Sequence, residues 1–147
     1  MTRSSRKPEQ PRLRCCFSDA VAKRVVCCSK ARGATRQYRR TVECSSERGH
    51  GLCAAWLDHV RRASRFAIGA SRAPSALRRS DAIRLQGGGL LGMGDVVNPV
   101  VDGQNRSGRV RDVSELMERA VARFGSFDEI PLQPVIRRVQ EFDTDER

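Results

Sequence analysis

The stretch Cys53-Ala54-Ala55-Trp56-Leu57-Asp58-His59-Val60-Arg61-Arg62-Ala63-Ser64-Arg65-Phe66-Ala67 carries the clearest periodicity in the 147-residue chain. Cys53, Trp56, Leu57, Val60, Ala63, Ser64 and Ala67 recur at i, i+3, i+4 and i+7, the spacing of one apolar stripe on an α-helix. Asp58, Arg61, Arg62 and Arg65 fall on the opposite face. Ser45 or Ser46 supplies an N-cap, while Gly49 and Gly51 weaken the first turn. The pattern predicts a helix over about 50–67, ended by Gly69.

Upstream, Met1 to Arg14 has Pro8, Pro11 and many charges with little to bury, and reads as a disordered basic tail. Ser18 and Asp19 favour a helix start, and Val21, Val25 and Cys28 share a face, which predicts a helix over 19–32 stopped by Gly33. Tyr38, Val42 and Cys44 alternate with polar residues, so 34–44 reads as a strand whose partner the sequence does not name.

Downstream, 70–75 reads as a linker with Pro74, followed by a helix over 76–86. The segment 86–108 holds seven glycines and Pro99, and reads as a glycine-rich divider. Asp112-Val113-Ser114-Glu115 forms a capping box for a helix over 113–124, with Gly125 at its C-terminal end. Pro134 suits the first turn of a last helix over 134–142, with Val135, Ile136, Val139 and Phe142 inward. These two helices are expected to pack on each other as a C-terminal pair over 112–142. Residues 143–147 read as a polar tail. The fold class is α+β: mainly α with a short β element and about five helices, in one small domain over 15–142 whose cysteine-containing basic half is 15–69.

Hydrophobic residues make up 39% of the chain and charged residues 31%, which fits one packed core with polar ends. No apolar segment follows the basic N-terminus as a signal peptide would require, and none reaches the ~20 residues that span a bilayer. The expectation is a cytoplasmic protein with no membrane contact. Its thiols would be kept reduced, so the six cysteines are free thiols or metal ligands, not a disulfide framework.

The net charge of +11 is uneven. Residues 1–80 carry 19 Lys and Arg against 5 Asp and Glu, and residues 81–147 carry 9 against 12. A basic half attracts nucleic acid or an acidic protein partner. Arg61, Arg62, Arg65 and Arg72 would form its phosphate-facing stripe. Arg outnumbers Lys by 25 to 3, however, a skew that codon bias in a GC-rich genome also produces.

The cysteines stand at 15, 16, 27, 28, 44 and 53. One from each adjacent pair with the remaining two gives Cys16, Cys28, Cys44 and Cys53, four thiolates able to complete a tetrahedral Zn site or hold an Fe–S cluster. Soft sulfur selects such metals over Mg or Ca. The sulfurs are expected to converge near Trp56, with Cys15 and Cys27 pointing elsewhere. No C-x2-C knuckle is present, and buried cysteines are often plain core residues. His50, three residues before Cys53, is either an alternative ligand or a solvent-facing side chain; His59 is given no role. A reactive thiol is a further alternative, with nearby arginines lowering its pKa.

Gly87-Gly88-Gly89-Leu90-Leu91-Gly92 matches G-x-G-x-x-G, but the residues before it look helical, so a dinucleotide loop is not expected. No nucleophile elbow appears, and catalytic residues are not assigned. The order Cys16-Phe17-Ser18-Asp19-Ala20, Cys28, Cys44, Cys53, Phe66-Ala67-Ile68-Gly69 and Gln86 to Gly92 resembles a group of small uncharacterised bacterial proteins with spaced cysteines and a Gln-Gly-Gly-rich turn. That resemblance covers 16–142 and implies no activity. The reading is therefore a non-enzymatic protein that binds Zn or an Fe–S cluster through Cys16, Cys28, Cys44 and Cys53. The alternatives are a basic nucleic-acid-binding accessory protein and an interaction domain with buried free cysteines.

Overall fold

A computed structural model describes residues 13–36, 38–65, 78–98 and 110–142. Among these the elements run β1 (Leu13–Arg14), α1 (Ser18–Ala22), β2 (Ala31–Arg36), β3 (Arg39–Cys44), α2 (Glu47–Ala63), α3 (Arg79–Val97), α4 (Val113–Phe124) and α5 (Leu132–Glu141). Five helices with a three-stranded antiparallel sheet make the protein α+β. The terminal tails, residues 66–77 with Pro74, and residues 99–109 lie outside the described residues, apart from Leu13 and Arg14; the helix predicted to run to 67 and stop at Gly69 already ends at Ala63, with Ser64 as its C-cap.

The predicted helix over 19–32 is corrected to the five residues of α1. Arg24 takes a left-handed φ of 60° just beyond it, and the β-branched pair Val25-Val26 follows. Val26 then pairs in parallel with Val110, while Cys27 N donates to Val110 O and Val113 N donates to Cys27 O, both at 2.9 Å. Long-range backbone bonding replaces helix here.

The predicted strand over 34–44 is two strands. β2 and β3 pair from Ala31↔Cys44 to Arg36↔Arg39, so each supplies the other's missing partner. β1 covers the other edge of β3 only at Cys44 and Glu43. Gly33, expected to stop a helix, lies inside β2.

α2 starts before its glycines because Ser46 caps it, accepting from Gly49 N at 3.0 Å. Trp56 and Val60 are buried as the stripe requires, and Trp56 Nε1 donates to Gly89 O at 3.2 Å.

The largest departure is the glycine-rich divider. Its first part is the middle of α3, which runs unbroken through Gly87, Gly88, Gly89, Gly92 and Gly94. The glycines admit α5: a Cβ on Gly88 would stand 2.5 Å from Val139 Cα, and one on Gly92 2.5 Å from Val135 Cα. Tertiary contact at backbone distance offsets the poor helix propensity of glycine. Arg138 bridges the same pair of helices, its Nε and Nη2 donating to Asp95 at 2.6 and 3.0 Å.

α4 begins as read, with Asp112 accepting from Ser114 N, and ends at Gly125 with φ 76°. The Glu115 carboxylate pairs with Arg119 at 2.6 Å. α5 starts two residues before Pro134. Rather than packing chiefly on each other, α4 and α5 both lie on α3. Leu90, Met93, Met117, Ala120, Val135 and Val139 fill this core, and Ile130 closes its corner. No helix among the described residues is long and apolar enough to cross a membrane.

A cysteine-lined cavity as the candidate metal centre

Five of the six cysteines come from segments that meet at one place. Cys15 and Cys16 occupy the bend between β1 and α1, where Cys15 N donates to Val42 O at 2.9 Å and Ser18 N to Cys15 O at 3.2 Å. Cys28 sits in the turn before β2, with Ala31 N donating to its carbonyl at 3.2 Å. Cys44 ends β3, and Cys53 follows in the second turn of α2. These five and His50 line a cavity of about 20 Å³, completed by Phe17, Val21, Ala31 and Val113. That is room for roughly one water-sized occupant.

Cys16, Cys28, Cys44 and Cys53, the four residues singled out from spacing, all reach this wall. Cys27 is exposed and does not line it. Cys15 does, against expectation. The divergence of adjacent side chains holds for a regular strand or helix, and the bend at Cys15-Cys16 is neither. Trp56 is not part of the wall; its ring meets Phe127 edge-on at 5.3 Å and His59 at 5.8 Å.

His50 is half-buried at the wall, not solvent-facing. Its Nε2 stands 3.1 Å from Arg14 O and 3.7 Å from Cys16 Sγ. A carbonyl can only accept, so the contact to Arg14 O is one in which Nε2 donates. Cys44 donates its thiol to Ser46 O at 3.2 Å. Among the described residues, no three His, Cys, Asp or Glu side chains are arranged to hold a metal ion.

The electrostatics of the cluster oppose bare thiolates. Burial pushes the Cys15 thiol up to about 11; the Phe17 backbone pulls against this, and Cys28, Cys16 and Cys44 add to the rise. Burial and then Cys44 raise Cys16. Burial, then Cys16, Cys15, Cys28 and Cys44, raise Cys53 strongly. The expectation of arginine-activated thiols is therefore corrected at these three positions. Thiols facing one another resist ionisation singly, whereas a cation between them would reverse the sign of that coupling.

The other sequence candidates fare differently. Arg61 and Arg62 both pair with Asp58, at 2.6 and 3.1 Å, so the proposed stripe is partly neutralised, and Arg72 lies outside the described residues. The G-x-G-x-x-G match is helix interior and presents no phosphate loop. Compared with known protein families, with curated proteins and with solved structures, the chain matches none.

Proposed function

We propose that this is a non-enzymatic metal-binding protein whose Cys16, Cys28, Cys44 and Cys53 hold a soft cation as thiolates. The observation that supports the reading is their meeting, from four separate segments, at one small cavity. Thiolates bind Zn at about 2.3 Å in tetrahedral geometry. A space of about 20 Å³ suits a single ion better than an Fe–S cluster. Binding would turn the four sulfurs inward through their χ1 angles, and Cys44 would exchange its bond to Ser46 O for the metal. Cys15 is the reserve thiol at the same wall. Such ligands suit a reducing compartment, and we place the protein in the cytoplasm.

Anaerobic purification followed by metal analysis tests this. About one Zn per chain is expected, as four thiolates complete one tetrahedral site. Serine at 16, 28, 44 or 53 should each lose it, and Cys27→Ser should retain it. Neither Zn nor Fe above about a quarter equivalent, too little for a resident site, would rule the reading out.

A further inference from the structure

The strand order β1-β3-β2 leaves β2 bonded on one side only. At Val42 the carbonyl turns toward β1, accepting from Cys15 N at 2.9 Å. The Gly33↔Val42 pair therefore has its main chains facing away from each other, and Thr35↔Arg40, two residues on, repeats that phase. Gly33 and Thr35 thus hold their N–H and C=O groups outward, and both residues are exposed. Toward the cysteines the edge is closed: Ala31 N donates to Cys28 O at 3.2 Å, and Arg32 Nη1 donates to Ala31 O at 3.0 Å. Proteins blunt open edges with Pro, a bulge or a covering element. β2 pairs its six residues in unbroken register without Pro, and a Cβ added to Gly33 would meet nothing within 4 Å.

A glycine inside a strand weakens it and often marks the close approach of another backbone. No such approach to Gly33 exists among the described residues, so the backbone it suits comes from outside. Charge selects which one. Lys30, Arg32 and Arg40 are exposed beside this edge, and residues 30–42 hold no Asp or Glu. The Arg32 guanidinium rests on the Ser29 and Ala31 carbonyls, and no described carboxylate pairs with it. A second copy of the chain would bring both copies' Lys30 and Arg32 to one seam, where like charges repel. We propose that β2 takes an extended acidic segment of a partner protein as a fourth strand. The segment's main chain would bond the N–H and C=O of Gly33 and Thr35, while its carboxylates meet Lys30, Arg32 and Arg40. A nucleic acid would use the charge and leave the main-chain groups of the edge unpaired. The proposal is independent of the metal reading, since neither Gly33 nor Thr35 lines the cavity.

The test uses the full chain as purified, with a labelled peptide of alternating Glu and Val about eight residues long, an ordinary strand length. Fluorescence anisotropy reads binding, and amide hydrogen exchange reads its place. In the protein alone, the Gly33 and Thr35 amides should exchange quickly, whereas those of Arg32 and Ala34, bonded to β3, should be protected. Peptide at about ten times its Kd should slow exchange at Gly33 and Thr35 about tenfold, by mass action. The same peptide N-methylated at every amide keeps its charge and should not bind. Thr35→Pro removes one outward N–H and spares the ladder to β3. It should melt close to the parent and bind about fivefold more weakly, the loss of one main-chain hydrogen bond. Lys30→Glu with Arg40→Glu should weaken the acidic peptide and admit a Lys–Val counterpart. The proposal is overturned if the peptide fails to bind, if Gly33 and Thr35 are already protected in dilute protein, if the peptide binds without protecting them, or if the methylated peptide binds equally well. Protection that grows with protein concentration alone would assign the edge to a second copy. An oligonucleotide that displaces the peptide at equal charge would assign the surface to nucleic acid, and either result overturns the proposal too. Should Thr35→Pro melt much lower, exchange at Gly33 and Thr35 in the unaltered protein decides.

Discussion

Gly88 and Gly92 have no side chains because α5 occupies the place where they would stand. The atoms in the way are Val139 Cα and Val135 Cα, each 2.5 Å from an added Cβ, and backbone cannot rotate aside. Gly88→Ala or Gly92→Ala should therefore destabilise by about 2–3 kcal/mol, the upper range of overpacking. Gly94 has nothing within 4 Å of its Cβ position in the same helix. Gly94→Ala should stabilise by about 0.5–1 kcal/mol through helix propensity alone. Thermal melts of the three variants check the contrast, and equal effects at 88 and 94 would refute the packing account. The thiols make a second prediction. Cys15 has a folded pKa of about 11 against an ordinary 9.0, so folding favours its protonated form. Its contribution is full below 9.0 and is lost as pH rises toward 11. The metal-free protein should lose melting temperature across that window, and Cys15→Ala should flatten the loss. Exposure orders the alkylation: at neutral pH, Cys27 should be labelled first and Cys53 among the last, as peptide mass spectrometry would show.

The elements differ in how far local sequence decides them. α2 and α4 were legible because their stripes and caps lie within one stretch: Ser46 before Trp56 and Val60, Asp112 before Leu116 and Ala120. α3 was not, because glycine's cost is written at 87–94 while its compensation sits at Val135 and Val139. The segment after α1 misled for a related reason. Val21, Val25 and Cys28 fit a helical face, but Val26 finds its partner at Val110. The site followed the same division: spacing pointed to Cys16, Cys28, Cys44 and Cys53 and raised His50 as an alternative, whereas Cys15 enters through a bend that no periodicity marks. Asp112 joins two elements and offers a test. Its carboxylate accepts from Ser114 N inside α4 and from Ser29 N and Oγ before β2. Burial opposes its ionisation, yet the bonds from Ser29, Ser114 and Glu115 outweigh that and hold its pKa below 3.8. The stability it gives is present above 3.8 and fades as pH falls through the folded value. Asp112→Ala should cost about 1–2 kcal/mol at neutral pH, a strong cap's worth, and less in acid. Chemical denaturation at the two pH values measures it.

At the scale of the whole molecule, the cavity belongs to the N-terminal elements, with Val113 the single wall residue from beyond residue 53. A bound ion would stabilise those elements by mass action. Chelation should lower the melting temperature, and hydrogen exchange should quicken chiefly over 13–53 while α3 and α5 keep their protection. Uniform loss of protection would instead mean that the ion supports the entire core. The dependence on Val113 also has a consequence in time. During synthesis Cys53 leaves the ribosome 60 residues ahead of Val113, a lag of roughly 3–12 seconds at ordinary elongation rates. For that interval all six cysteines exist in a chain that has no roof to put over them. The nascent protein is an open sulfur-rich ligand, and the finished one a partly closed pocket whose wall Val113 completes. Metal offered during translation should therefore load faster than metal offered to the completed apoprotein.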